Sequence, residues 1–161
     1  MVKLVSAAFL AALLIGCSGA GQIPPQERQI QRSVTLDQSY EGVWSLVVEW
    51  FVLRGTPFDT MDKEDGVITS GSGLRASYEL DCGKAAGRVS YAAAKMENVR
   101  GQINVVVRER GEGKTQVLIS VFGGAESVVR NMYGHAVSSA KAECVSTGEL
   151  EAELIEYLQS A

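Results

Sequence analysis

The sequence predicts an α+β domain, in which an antiparallel sheet of about five or six strands lies between two helices in chain order. Three observations lead to this prediction. Apolar residues repeat at helical spacing within residues 36–54 and again within residues 147–159. Between them lie short β-branched runs that are separated by turn residues. The chain of 161 residues is long enough for one such domain with its own core.

The first helix is predicted over residues 36–54. An aromatic-rich stripe recurs at spacings of three, four and seven residues, which is typical of one face of an amphipathic helix. The stripe consists of Leu36, Tyr40, Val43, Trp44, Val47, Trp50 and Phe51. At its N-terminus, Thr35 can form a capping box with Gln38. Asp37 and Ser39 are the alternative caps. Gly55, with Pro57 two residues on, marks its end, and we expect the stripe to pack on the sheet.

Two hairpins are predicted from their turn residues. Residues 58–62 and 67–70 flank an Asp-Gly turn, which is a strong hairpin signal. Residues 102–110 and 114–122 are rich in β-branched side chains and flank a Gly-Glu-Gly turn. Both pairs are therefore expected to form antiparallel strands.

The segments between these elements carry weaker patterns. Residues 74–81 alternate apolar and polar side chains, which indicates a half-buried strand. Residues 83–100 and 123–143 have no clear period, and we expect one of these two segments to continue a strand.

A second helix is predicted over residues 147–159. Ser146 and Glu149 fit a Ser-x-x-Glu capping box, and acidic residues in the first turn suit the positive end of the helix dipole. Its apolar positions recur at helical spacing and are Leu150, Leu154, Tyr157 and Leu158. One globular domain is therefore expected over residues 34–161.

The first residues of the chain have a different composition from the rest. Residues 1–16 hold 13 apolar side chains and one charge, Lys3. The largely apolar run from Leu4 to Ile15 would form a helix of roughly 18 Å, against about 30 Å of hydrocarbon in a bilayer. Residues 1–16 are therefore predicted to be a cleaved export signal rather than a membrane span.

The end of this signal, Leu14-Ile15-Gly16-Cys17, resembles the bacterial lipobox. The resemblance implies cleavage before Cys17 and acylation of its thiol and amine by chains that include palmitate, which would attach the protein stably to a membrane. Ser18, where an Asp would favour the inner membrane, implies the outer membrane, with the domain in the periplasm or, alternatively, at the cell surface. The simpler alternative is a secretory signal that contains a cysteine by chance.

Residues 17–33 are predicted to be the lipidated cysteine followed by a flexible tether. They are rich in Gly, Pro, Gln and Ser and lack apolar periodicity. A tether of this length could extend over about 55 Å. The alternative is that part of it packs along the domain.

Cys82 and Cys144 form an even pair once Cys17 is set aside. In an oxidising compartment we expect a disulfide between them, which for a loop of this length contributes about 4 kcal/mol of stability. Two buried free thiols are the alternative. Redox or zinc chemistry is not expected, because the chain has no Cys-x-x-Cys motif and only 1 histidine.

Charge and motifs argue against several other function classes. A formal net charge of −4 disfavours a nucleic-acid binder. Gly113-Lys114-Thr115 lacks the upstream glycine and the following helix of a P-loop, and the acidic turn before Gly66 does not have EF-hand spacing. His135 has no nucleophile that can be assigned to it. We therefore expect no enzymatic activity, no cofactor and no metal site.

The pattern of the first helix and the hairpin after it resembles the helix-grip domains of the BamC-like lipoproteins, accessory subunits of the outer-membrane β-barrel assembly machine. The residues that carry the resemblance are Val43, Trp44, Gly55, Asp62, Gly66, Ile68 and Thr69. It implies a helix-grip fold and an envelope location.

Two functions are compatible with these observations. The first is a membrane-anchored protein-interaction or scaffold module, which binds an envelope protein through a sheet edge or a groove between helix and sheet. The alternative is a carrier of a small apolar ligand or lipid, held in a cavity under the long helix. The candidate lining residues of that cavity are Tyr40, Trp44, Val47 and Phe51.

Overall fold

The computed structural model describes residues 20–74, 78–89 and 92–161. Their elements, in chain order, are β1 (Gly21–Ile23), β2 (Ser33–Leu36), α1 (Tyr40–Arg54), β3 (Phe58–Asp62), β4 (Val67–Ser70), β5 (Leu80–Asp81), β6 (Lys84–Ala86), β7 (Arg88–Val89), β8 (Ala92–Glu109), β9 (Thr115–Arg130), β10 (Ala136–Ser146) and α2 (Glu149–Ser160). The predicted α+β class is confirmed.

One antiparallel sheet organises the chain, with strand order β3-β4-β8-β9-β10-β5. Along one edge of β9, β2 pairs with residues 115–118 and β10 pairs with residues 122–130, so these two strands lie end to end. The short strand β7 pairs with the start of β8. A second, two-stranded sheet consists of β1 and β6.

The long hairpin of β8 and β9 divides the molecule into two regions. Its strands contain 18 and 16 residues, and an 18-residue strand is about 60 Å long when straight. We call residues 101–109 and 115–123, with β2 to β4 and both helices, the body. We call residues 92–100, 124–130 and 136–143 the arm.

A β-bulge separates the body from the arm. The register between β8 and β9 shifts between Glu97 and Arg100, so that two residues of β8 lie opposite one residue of β9. Asn98 in the bulge has a positive φ of 53°. Such a bulge bends the bulged strand and increases its twist.

Two glycines allow Leu80 to pack onto the sheet beside this bulge. A Cβ atom at Gly101 would lie 2.3 Å from Leu80 Cδ1. A Cβ atom at Gly123 would lie 2.5 Å from the Arg100 carbonyl oxygen and 2.8 Å from Leu80 Cδ1. Glycine at these positions therefore lets a side chain from β5 approach the hairpin closely.

Both helices cover the same face of the body. Alternate residues of β8 and β9 are buried, as expected for strands with one covered face. The central members of the core are Val43, Val47, Phe51, Ile103, Val105, Val107, Val117, Ile119, Leu150, Leu154 and Leu158. The apolar stripe predicted for the first helix is therefore buried in the core from Val43 onwards.

The prediction that the first helix begins at residue 36 is wrong. Leu36 ends β2, which pairs with the first residues of β9, and α1 begins at Tyr40. Val34 and Leu36 are both buried, so this segment follows the two-residue period of a strand. Ser39 is the N-cap, with its Oγ accepting from the Gly42 amide at 3.3 Å, and Gly55 ends the helix with a φ of 68°.

The two predicted hairpins are confirmed, and the second is longer than predicted. Both weakly patterned segments continue strands, since β8 begins at Ala92 and β9 and β10 occupy most of residues 123–143. Of the predicted strand 74–81, only Leu80 and Asp81 form β5, and residues 75–77 lie outside the described part of the chain.

The second helix begins at Glu149, two residues later than predicted. Gly148 occupies the N-cap with a φ of 94° and has no side chain to cap the helix, whereas the Glu149 amide donates to Thr147 Oγ1 at 3.5 Å. Ser146 accepts a hydrogen bond from the Gly148 amide and donates one to the buried carboxylate of Glu151 at 2.7 Å. The predicted capping box between Ser146 and Glu149 is therefore wrong.

Within the described residues, no helix has the length and apolar character needed to cross a membrane.

Candidate functional site

A disulfide lies at the junction of the body and the arm. Cys82 and Cys144 are bonded, with an Sγ–Sγ distance of 1.96 Å, and both side chains are buried. Cys82 follows β5, and Cys144 pairs with Gly123 in the sheet. The predicted bridge is confirmed, and it links the segment after β5 to the strand that runs along the arm.

The N-terminal segment is held against the arm beside this disulfide. The side chain of Gln22 acts as a clamp: its Nε2 donates to the carbonyl oxygens of Cys82 at 2.8 Å and Glu143 at 2.6 Å. Its Oε1 accepts from the Glu143 amide at 3.0 Å. One side chain therefore satisfies three backbone groups on two segments of the domain.

From Gln22 toward the N-terminus, the described chain runs along the arm toward the loop between β9 and β10. Gln22 contacts β10 at Glu143, whereas the Ala20 amide donates to Ser138 Oγ at 2.9 Å. Ser138 lies closer than Glu143 to the loop between β9 and β10. Residues 20–23 therefore pack along the domain. This was the alternative to a flexible tether for this part of the chain. Cys17, the predicted lipidation site, lies outside the described residues.

The loop at residues 131–135, which we call the arm loop, presents apolar side chains to solvent. Asn131 Oδ1 accepts from the amides of Tyr133 and His135, each at 3.0 Å, and the Asn131 amide donates to the His135 carbonyl oxygen at 2.9 Å. Met132 and Tyr133 are 87% and 78% exposed. Val137, just after the loop, is 48% exposed. A well-bonded turn thus holds large apolar groups outward.

The part of the arm next to the arm loop carries no carboxylate, because the acidic residues of the arm, Glu97, Glu126 and Glu143, lie nearer the body. Residues 83–96 and 127–142 contain no Asp or Glu, in a chain with 19 such residues. Within the arm, the Lys and Arg residues of these two segments are Lys95, Arg130 and Lys141. The end of the molecule that carries the arm loop is therefore suited to contact an anionic surface.

One ion pair braces the arm. Arg130 donates from Nε and Nη2 to the two carboxylate oxygens of Glu97, at 2.9 and 2.6 Å, and from Nη1 to the Gly134 carbonyl oxygen at 2.9 Å. The hydrogen bond from Arg130, helped by the charges of Arg130 and Lys95, lowers the pKa of Glu97 below its usual value. This pair joins β8, β9 and the arm loop.

At one edge of the sheet, on the body, β3 has an open side. It pairs with β4 on one side, and no strand among the described residues pairs with its other side. Met61 on this strand is 48% exposed, and Asp59 and Asp62 are exposed. An open edge is a template for pairing with another strand. Two copies carrying these carboxylates would repel one another, whereas a partner strand with basic side chains would not.

The four candidate cavity residues lie in or beside the packed core. Trp44, Val47 and Phe51 are buried in contact with the sheet, and Phe51 also stacks on Phe58 at 5.4 Å between ring centroids. Tyr40 is half-buried, and its hydroxyl donates to the Lys63 carbonyl oxygen. Clefts at the ends of α1 and α2 are lined by other residues. The carrier hypothesis stays a prediction.

A partly buried charge cluster joins the two helices. Arg54 at the end of α1 forms ion pairs with Glu79 and with Glu153 on α2, and its guanidinium lies 5.4 Å from the Trp50 ring centroid. Burial alone lowers the pKa of Arg54, but hydrogen bonds to Glu153 and Glu79 outweigh it and raise the pKa above its usual value. The arginine therefore stays charged and holds the helices together.

The motifs considered for chemistry occupy ordinary turns. Gly113 and Lys114 lie in the tight turn between β8 and β9, where the Arg110 amide donates to the Lys114 carbonyl oxygen at 2.8 Å. His135 ends the arm loop and is exposed. In the described part of the chain, no group of three or more His, Cys, Asp or Glu side chains is arranged to hold a metal ion.

Comparison with known proteins adds no relative. No protein-family model matches the chain, and no curated protein matches it. The fold and these surfaces define an α+β domain with an arm that ends in an exposed apolar loop and with an open strand edge on the body.

Sequence reasoning missed the arm loop and the Gln22 clamp. A signal for the arm was present, because a long stretch without acidic residues in an acidic chain is visible in the sequence. Gln22 offered no signal, since its three partners are backbone groups of residues distant in sequence.

Proposed function

We propose that this chain is a bacterial envelope lipoprotein, attached to the outer membrane by acyl chains on Cys17 and facing the periplasm. In this proposal the domain is an anchored protein-interaction or scaffold module without enzymatic activity. The observation that carries the proposal is the disulfide between Cys82 and Cys144.

The disulfide supports an envelope location and isolates one cysteine. Disulfides form and persist in oxidising compartments such as the periplasm. Of the 3 cysteines in the chain, two are used in the bridge, and the third is Cys17 in the lipobox-like sequence. Its position directly after a short apolar run is the position at which a lipoprotein is acylated.

The open edge of β3 supports a protein partner. An extended segment of another protein can add to such an edge by main-chain hydrogen bonds, and the side chains at the edge give specificity. Here Asp59 and Asp62 favour a partner segment with basic residues. The resemblance to BamC-like lipoproteins makes the barrel assembly machine the first place to search for that partner.

Membrane fractionation of Cys17→Ser tests the anchor. Without the acylated thiol, protein from which residues 1–16 have been removed should move from the membrane pellet to the soluble periplasmic fraction. Ser18→Ala is the matched control, because it changes the neighbouring residue, retains Cys17 and should stay in the pellet. Retention in the pellet of Cys17→Ser protein that lacks residues 1–16 would show that acylation is not what attaches the protein.

Photo-crosslinking tests the partner-binding edge. Benzoylphenylalanine placed at Met61 in intact cells should give one adduct of discrete mass, whereas the same group at Glu112, in the turn between β8 and β9, should give none. No adduct at either position, or the same adducts at both, would argue against β3 as the binding edge.

A further inference from the structure

The end of the arm combines three features that point to one kind of contact. The arm loop exposes Met132 and Tyr133, residues 127–142 around it carry no carboxylate, and the N-terminal segment leads the chain to the same end. We propose that the arm loop docks in the headgroup layer of the lipid membrane and thereby orients the body away from the membrane. This inference rests on the proposed lipid anchor.

Chain length places the anchor close to the arm loop. The Ala20 amide is hydrogen-bonded to Ser138 Oγ. Ser138 lies three residues after His135, a distance of about 10 Å along a strand. Cys17 precedes Ala20 by three residues, so it lies at most about 11 Å from it. Acyl chains on Cys17 enter the bilayer, and Ala20 must therefore remain within that distance of the lipid. The clamp at Gln22 keeps the domain from moving further away on a longer tether.

The exposed side chains suit a headgroup layer. Tyrosine places an apolar ring beside a polar hydroxyl, and such residues are enriched where a membrane meets water. Methionine adds a flexible apolar group. The turn that carries Met132 and Tyr133 is fixed by hydrogen bonds to Asn131, so these side chains do not need to be ordered by the membrane.

Charge supports the same orientation. Basic side chains near anionic lipid headgroups attract the protein to the surface over about one Debye length. Next to the arm loop the arm supplies Lys95 and Lys141, whereas its carboxylates, Glu97, Glu126 and Glu143, lie nearer the body, and Glu97 is paired with Arg130. The acidic edge of β3 lies on the body and would be repelled from the same surface. A lipid surface with anionic headgroups is therefore the occupant that fits this end.

Fluorescence quenching by brominated lipids tests this orientation. The full chain is isolated from membranes and reconstituted into vesicles of phosphatidylglycerol and phosphatidylcholine with brominated acyl chains. Met132→Trp reports on the arm loop, and Leu53→Trp, at a residue of α1 that is 71% exposed, is the matched control on the body. Both variants retain Trp44 and Trp50 as the same buried background.

The two tryptophans should behave differently. Emission from the tryptophan at position 132 should be strongly quenched relative to unbrominated vesicles, and emission from the one at position 53 should not change. Equal quenching at both positions, or none at position 132, would overturn the proposal. No quenching at position 132 is also the result expected if a protein rather than lipid covers the loop. The vesicle pellet separates the two proposals: protein in the pellet without selective quenching contradicts only the docking, whereas wild-type protein left in the supernatant contradicts the anchor as well.

Discussion

The body and the arm are built from the same two strands, yet different forces hold them. In the body, two helices cover one face, and alternate residues of β8 and β9 are fully buried. In the arm, no residue of β8 from 93 to 100 is buried, and burial is concentrated on the middle strand, β9. The arm depends instead on β10, on the small sheet of β1 and β6, and on the Glu97–Arg130 pair. The body is therefore a hydrophobic core, and the arm is an extension stabilised mainly by backbone pairing and polar contacts.

The largest expected effect is loss of a core side chain in the body. Phe51→Ala should lower the free energy of unfolding by about 3–5 kcal/mol, because it removes a fully buried aromatic ring and leaves a cavity. Leu53→Ala on the same helix is the matched control and should change it by less than about 0.5 kcal/mol. Denaturant unfolding measures both. A small effect of Phe51→Ala would mean that the core under α1 is loosely filled, as the carrier hypothesis requires.

Removal of the disulfide should have the next largest effect, because it joins the two regions. Replacing Cys82 and Cys144 by Ala should cost about 2–5 kcal/mol, mainly through the greater entropy of the unfolded chain. Thermal unfolding with and without a reductant checks this result in the unmodified protein. An unchanged midpoint after reduction would show that the bridge contributes no stability.

At the junction between body and arm, the stability of the protein should depend on glycine at position 123 but not at position 124. Gly123→Ala should destabilise the protein by about 1–3 kcal/mol, because the new Cβ would press on the backbone of Arg100. At Gly124 a Cβ would have only an ordinary contact of 3.6 Å with the Ala142 carbonyl oxygen, so Gly124→Ala is the control. Equal unfolding midpoints for the two variants would show that the bend does not depend on close approach at position 123.

A smaller and local effect is expected at the clamp. Gln22→Ala removes hydrogen bonds that are each worth about 0.5–1.5 kcal/mol. Hydrogen exchange at the Glu143 amide should accelerate, while amides of the body should exchange as before. Gln31→Ala, which removes a bond only to nearby Ser33, should leave Glu143 protected. An unchanged rate at Glu143 in Gln22→Ala would indicate that the N-terminal segment is not held at the arm.

The smallest effect concerns pH and is confined to the arm. Because the pKa of Glu97 is lowered in the folded protein, its pair with Arg130 stabilises the folded state above the usual pKa of 4.5 and loses that contribution as the pH falls through the lower folded value. A carboxyl titration by NMR should show Glu97 titrating at lower pH than in Arg130→Gln. The same titration curve in both proteins would exclude the pair as the cause.

Local patterns explain which parts of the fold were predictable. Residues 58–70 and the turn at residues 110–114 carry their turn chemistry within a few residues, so both hairpins follow from the sequence. Residue 36 was misassigned because its apolar side chain fits the spacing of the following helix as well as that of a strand. The arm has small and polar residues without a clear period, and pairing with distant strands determines its structure.

The surfaces were less predictable than the fold. The disulfide followed from counting cysteines, but its place at the junction depends on a register that no local pattern specifies. The exposure of Met132 and Tyr133 arises because they lie at the end of a hairpin, where no helix of the described part of the chain covers them. Apolar residues in a sequence are more often buried than exposed, so composition alone gives no reason to place these two at the surface.

Neutron reflectometry of the membrane-attached protein on a supported anionic bilayer tests most directly whether the arm faces the membrane and the body faces away. A narrow layer of protein density next to the headgroups, followed by a wider layer further out, is the predicted profile. The wide layer of the body in direct contact with the headgroups would contradict it.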